Sequence, residues 1–225
     1  MRLHGRVTDF EDRPLSNAIV RVVGRGFRDD IATACTDESG MYELRVKQAT
    51  YLAIWICKDY GKKALEYWAW HVTIDDDLEM NARIDGLEVY GLNAFWPRQA
   101  STLMVYFRPM SLKRALAFEA SDQDGTGLID IAPKLRPEDI EITIDGEPAP
   151  LRCINKVREQ IQTDRYMDAY LVHVQAGGYG ETDAYRKISV AIVDTETQEK
   201  GEGSVFWRHT LYEESTVANV DIRED

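Results

Sequence analysis

The sequence predicts an all-β protein made of two antiparallel β-sandwich domains. Three observations carry that prediction. Short segments along nearly the whole chain alternate apolar and polar side chains, the period of a half-buried strand. These segments are rich in Val, Ile, Tyr, Trp and Thr, which fit a pleated surface. Between them lie turns built from Asp, Gly, Ser and Pro, such as Thr36-Asp37-Glu38-Ser39-Gly40 and Asp145-Gly146. Helix signals are scarce.

Taken in order, a first strand ends at Asp9, and a polar turn with Pro14 follows. Ala18 to Val23 alternates Ile19 and Val22 with Arg21, and Ile31 to Thr36 makes the third strand. Gly40 supplies the positive φ that a tight turn needs. Tyr42, Leu44 and Val46 then alternate with Glu43, Arg45 and Lys47. Tyr51 to Cys57 and Leu65 to Ile74 read as two strands of a hairpin around the turn Lys58 to Lys63. In the second of these, Trp68, Trp70, Val72 and Ile74 are expected on one face, with Tyr67, Ala69, His71 and Thr73 on the other. Asp75-Asp76-Asp77 is a charged turn, and Leu78 to Ile84 closes the first sandwich.

The spacing Gly5-x-Val7-x-Asp9, Pro14-Leu15-x-x-Ala18-x-Val20-x-Val22, then Thr36-Asp37-x-x-Gly40-x-Tyr42-x-Leu44, resembles the carboxypeptidase regulatory-like (transthyretin-like) domains. The resemblance covers roughly the first third of the chain and is specific for a fold rather than an activity. It implies a non-catalytic module of the kind that accompanies catalytic or membrane domains and stabilises or presents them.

Asp85-Gly86 is the expected boundary, giving domains 1–85 and 86–225. Beyond it, Leu87 to Leu92 and Leu103 to Met110 read as strands bounded by Pro97 and Pro109, since proline cannot donate to a central ladder. A polar loop spans Ser121 to Gly127. Asp139 to Ile144 runs into the Asp145-Gly146 turn, and Asn155 to Thr163 reads as strand and loop rather than helix. Tyr166 to Val174, Lys187 to Val193 and Ser204 to Trp207 complete an immunoglobulin-like pattern. The acidic stretch Leu211 to Asp225 reads either as an edge strand, pairing with a neighbouring molecule or the other domain, or as frayed chain.

The 225 residues carry a formal net charge of −12, which argues against nucleic acid and anionic membranes as partners. No apolar run approaches the length of a membrane span. The N-terminal Met-Arg-Leu-His-Gly-Arg-Val lacks an apolar signal core, so a cytoplasmic location is the expectation. Cys35, Cys57 and Cys153 form no Cys-x-x-Cys pair, so neither a zinc site nor a disulfide framework is expected, and each reads as a small apolar side chain in a strand.

Two stretches are candidate sites. Asp122, Asp124 and Thr126 occupy positions one, three and five of a calcium loop, with Gly127 at six, the Leu128 carbonyl at seven and Asp130 at nine. Position twelve is Pro133, so the bidentate Glu is missing, and Glu138 or Asp139 would have to supply oxygens. An ordinary Asp-Gly turn explains the same residues. The second candidate is an aromatic face. A hairpin register pairing Trp55 with Tyr67 would also pair Tyr51 with His71, gathering four rings for a glycan, for the second domain or for another subunit. A third alternative turns Trp55 into the core.

Catalytic motifs are not evident. His4, His71, His173 and His209 are scattered, and no nucleophile elbow or phosphate loop occurs. Hydroxyisourate hydrolases share the transthyretin-like sandwich but end in Tyr-Arg-Gly-Ser, which Tyr185-Arg186-Lys187-Ile188 does not supply. The expected function is therefore a non-catalytic interaction or accessory module for a protein partner or a carbohydrate, alone or as a homo-oligomer, with calcium as the one cofactor considered. The alternatives are an enzyme or enzyme subunit with a pocket near His173, His209 or the 122–130 loop, and a calcium-stabilised module of a cell-surface assembly.

Overall fold

The structure is a computed structural model of the chain. It describes residues 1–27, 29–97, 100–119, 127–175 and 184–208. The first half contributes β1 (Arg2–Thr8), β2 (Ile19–Val23), β3 (Asp30–Cys35), β4 (Met41–Arg45), β5 (Ala49–Thr50) and β6 (Ala53–Cys57). It continues with β7 (Tyr67–Trp70), β8 (Thr73–Ile74), β9 (Leu78–Glu79) and β10 (Ala82–Arg83). The second half contributes β11 (Leu87–Phe95), β12 (Thr102–Ser111), the helix α1 (Leu112–Glu119), β13 (Ile140–Ile144) and β14 (Glu147–Pro148). Its last strands are β15 (Leu151–Gln162), β16 (Arg165–Gln175), β17 (Arg186–Val193) and β18 (Lys200–Trp207).

Alternation places the cores. Strand β1 buries Leu3 and Val7, and β4 buries Tyr42 and Leu44; these pack on Val20 and Val22 of β2, Ile54 and Ile56 of β6, and Tyr67 and Ala69 of β7. A second core sets Leu87, Val89, Leu103, Val105 and Phe107 of β11 and β12, with Tyr170, Val172 and Val174 of β16, against Ile142, Ile188, Val190 and Val205. The sheets follow from this. β1 pairs with β4, β9 and β10, while β11-β12-β16-β15 form a four-stranded antiparallel layer. Between them runs one eight-stranded sheet in the order β14-β13-β17-β18-β7-β6-β2-β3.

That sheet passes from one half of the chain to the other through a parallel pairing of β7 with β18, Ala69 opposite Ser204 and Trp70 opposite Val205. Strand β7 is consequently buried on both faces. Tyr67 and Ala69 enter the first core, while Trp68 and Trp70 enter the second. The Tyr67 hydroxyl meets the Ser204 hydroxyl at 2.8 Å. Gly201 allows β11 to cross β18 closely, because a Cβ there would lie 2.3 Å from the Leu87 carbonyl oxygen. Asp85 and Gly86 join β10 to β11; Leu65 N–H donates to the Asp85 carbonyl and Lys200 N–H to its carboxylate.

Several sequence expectations are corrected. The run Leu65 to Ile74 is not one continuous strand: His71 takes φ +53°, which resets the alternation, so Val72 and Ile74 join the first core although Trp68 and Trp70 face the second. Pro109 lies inside β12, opposite Val89, where the pairing of β12 with β16 has already ended. Helix α1 follows directly; its sequence Leu-Lys-Arg-Ala-Leu-Ala-Phe-Glu is rich in helix formers, and Ser111 Oγ caps it by accepting Arg114 N–H at 3.1 Å. The Asn155–Thr163 stretch is strand, as most of it lies in β15. Among the cysteines, which are all free, Cys57 is buried, but Cys35 and Cys153 are exposed.

Gly40 takes φ +75°, and a Cβ on it would lie 2.4 Å from the Val7 carbonyl oxygen. Gly40→Val is expected to lose more than about 2 kcal/mol of stability, through left-handed strain and the clash together. Denaturant unfolding checks this; a midpoint equal to wild type would contradict the turn's role.

Candidate binding site at the aromatic seam

The β6–β7 hairpin pairs Trp55 with Trp68 and Ile56 with Tyr67, one residue away from the register expected from the sequence. A one-residue slip moves every side chain of a strand to the other face. The four rings expected together are therefore dispersed. Tyr67 is buried in the first core, as is Tyr51, whose hydroxyl donates to the Lys47 carbonyl at 2.7 Å. His71 is exposed at its left-handed turn, with its N–H donating to the Leu52 carbonyl at 2.8 Å. Of the four, Trp55 alone stays on a half-exposed face, and its ring neighbour there is Trp68.

These rings line the seam where the first half meets the second. The Trp68 and Trp70 rings are stacked, with centroids 4.9 Å apart and planes 11° from parallel. Phe27, from the loop between β2 and β3, stands edge-on to both at 6.1 Å. Tyr90 of β11 also stands edge-on to both, at 5.7 and 5.5 Å. Trp55 lies tilted against Trp68 at 6.4 Å. Each outer wall carries a cation over a ring. The Arg21 guanidinium sits 4.8 Å from the Trp55 centroid and is paired with Asp30, while Arg108 sits 5.0 Å from Tyr90 and is paired with Glu159 at 2.9 Å. Phe27 is 54% exposed, so the outer rim of the seam meets solvent.

Two carboxyl groups enter the same place. The Trp68 indole N–H lies 3.0 Å from Glu66 Oε2 and 3.0 Å from Glu88 Oε1. Glu88 is 1% exposed, and its carboxyl is pushed up to about 8, chiefly by burial and further by the negative charge of Glu66. Burial also raises Glu66, opposed by hydrogen bonds from the Trp55 and Trp68 side chains. Three buried polar atoms around Tyr90 lack a hydrogen-bond partner: Glu88 Oε2, Trp70 Nε1 and Arg108 Nε. Ring faces bordered by carboxyl, indole and guanidinium groups suit a molecule with an apolar face and a polar rim.

The seam was missed in the sequence because its rings alone come from four separate segments. The signal that was available is the Trp68-x-Trp70 pair on a strand, next to Glu66 in the same alternation.

The second expected site is only partly placed. Asp122, Asp124 and Thr126 lie outside the described residues. Leu128 forms a bridge with Tyr166, and Asp130 is exposed. Glu138 and Asp139, considered as additional calcium oxygens, are both engaged by Arg136, at 3.3 and 3.2 Å. Among the described residues no group of three His, Cys, Asp or Glu side chains is placed to hold a metal ion. No described helix is long and apolar enough to cross a membrane.

No family model matches the chain, and no curated protein matches it in sequence. Solved structures with a similar course include a candidate carbohydrate-binding protein of Bacteroides uniformis, 10% identical with a TM-score of 0.31, covering 92% of this chain and 98% of that one. A DUF3823 family protein of Parabacteroides merdae is 9% identical, with a TM-score of 0.28 over 92% and 98% of the two chains. The major pilin subunit of Bacillus cereus is 9% identical, with a TM-score of 0.29 over 91% and 68%. Similarity at this level assigns neither a family nor a ligand.

Glu88 gives the seam a pH dependence. Its folded value near 8 exceeds that of an exposed Glu, near 4.3, so between those values the folded state holds a proton that the unfolded state has lost. Stability is expected to fall as pH rises through that window, by at most about 1.4 kcal/mol per unit. Glu88→Gln, which stays neutral, is expected to flatten the profile. Melting curves from pH 5 to 8 check this; a wild type whose stability rises toward pH 8, in parallel with the variant, would contradict it.

Proposed function

We propose that the protein is a non-catalytic binding module that recognises a carbohydrate at the rim of the aromatic seam. The observation that carries this reading is the half-exposed Trp55 ring, whose side chain hydrogen-bonds the Glu66 carboxyl, together with the exposed Phe27 ring, which stands edge-on to the neighbouring Trp68. Sugar rings present an apolar C–H face for stacking and hydroxyls that donate to carboxylates, which is the pairing this rim offers. The resemblance of residues 1–85 to carboxypeptidase regulatory-like domains supports an accessory role, with residues 86–225 as a second sandwich that completes the site. Recognition asks nothing of Glu88 beyond remaining neutral.

A second reading rests on a different observation. Ile19 and Ile31 are 39% and 54% exposed near the open edge β3, on the strands that flank the Phe27 loop. Exposed apolar side chains at a sheet edge suit a protein partner.

A panel of soluble oligosaccharides in a thermal-shift assay separates the two readings, because a ligand bound only by the native state raises the melting temperature. At least one glycan is expected to raise it, and Phe27→Ala and Trp55→Ala are each expected to weaken that binding about tenfold, roughly the 1–2 kcal/mol of a lost stacking contact. Phe27→Ala should melt like wild type without ligand. A wild type that responds to no glycan would remove the carbohydrate reading in favour of the protein partner.

A further inference from the structure

The geometry points to a binding site for a soft monovalent metal ion, Cu(I), formed by Cys153, His173 and Met104 on the outer face of the β11-β12-β16-β15 layer. Cys153 of β15 stands opposite His173 of β16, and His173 stands opposite Met104 of β12. Side chains directly opposite on antiparallel strands share a face, with Cβ atoms about 4.5–5.5 Å apart. The three therefore make one row across three strands. That row is on the outer side, since the flanking Leu103, Val105, Val172 and Val174 are buried in the second core. Cys153 is exposed, and Met104 and His173 are half-buried, so the row is open to solvent.

The side chain of Asn155 shows where the donors turn. Its amide nitrogen lies 3.6 Å from Cys153 Sγ, 3.3 Å from His173 Nε2 and 3.5 Å from the Leu171 carbonyl oxygen. An amide nitrogen only donates, so its place beside Nε2 fits the tautomer whose proton sits on Nδ1. Two amide hydrogens thus face three acceptors, and Sγ and Nε2 both aim at one small volume above the sheet. A cation there replaces the amide as acceptor of both lone pairs.

The donor set selects the ion. Thiolate and thioether sulfur favour Cu(I), and imidazole accepts it readily, whereas calcium and magnesium require oxygen ligands. Zinc takes Cys and His but does not ordinarily use a thioether, and it asks for four ligands. In the binding step the thiol proton leaves to solvent as the sulfur–copper bond forms, and copper remains Cu(I), so no redox partner is required. The third donor is a methionine, so the spacing of His, Cys, Asp and Glu in the sequence gives no sign of the site. The inference is independent of the aromatic seam.

The test offers the full-length protein Cu(I) as its bicinchoninate complex under anaerobic conditions and follows loss of the complex's absorbance. Wild type is expected to withdraw one Cu(I) per chain. Cys35→Ser is expected to match it, while Cys153→Ser and His173→Ala are each expected to bind at least about tenfold more weakly, the scale seen when metal-site groups are removed. Met104→Leu is expected to weaken Cu(I) binding as well, because the thioether is the third donor. All three positions face outward, and metal-free melting curves confirm that the variants fold. A wild type that withdraws no Cu(I), a Cys153→Ser variant that binds as tightly as wild type, or a Met104→Leu variant with unaltered Cu(I) affinity would each overturn the site.

Discussion

The pairing of β7 with β18 is the interaction on which the rest of this molecule depends. It is short and parallel, between segments more than a hundred residues apart, and it turns two small sheets into one of eight strands. Without it, Trp68 and Trp70 would stand on an open sheet face. With it, they lie under β11, whose Tyr90 packs on both indoles. A buried indole removes roughly 200 Å² from water, on the order of 5 kcal/mol each at about 25 cal/mol per Å². The covering strand in turn depends on Gly201, whose missing side chain lets β11 cross β18 closely at Leu87.

The polar groups at the seam follow from that burial. Glu88 is carried beneath the sheet by the strand that covers the tryptophans, and it reaches one indole N–H that it shares with Glu66. Two carboxylates at one donor in a dry site cannot both remain ionised cheaply, so the more buried one keeps its proton. The guanidinium groups of Arg21 and Arg108 lie over the outer rings, Trp55 and Tyr90.

What the sequence made legible was local. Gly40, the Asp145-Gly146 hairpin and the alternation of Tyr42, Leu44 and Val46 each encode their own geometry within a few residues, and all three appear in the structure. Register was not legible, because the hairpin from Trp55 to Tyr67 alternates equally well in either of two pairings and only packing chooses between them. His71 hid a break because nothing in a run of aromatic and β-branched residues announces a left-handed φ. Cys153 resembled a core residue, but it lies on an edge strand whose two faces differ little in polarity. The seam needed knowledge of which distant strands meet, and the β7–β18 contact has no sequence signature at all.

The central claim is that two hydrophobic cores share one sheet and are held as a single cooperative unit through β7 and β18. Differential scanning calorimetry of the full chain tests it most directly. The account predicts one transition whose calorimetric enthalpy equals its van't Hoff enthalpy. Two resolved transitions, with the first half melting independently of the second, would contradict it.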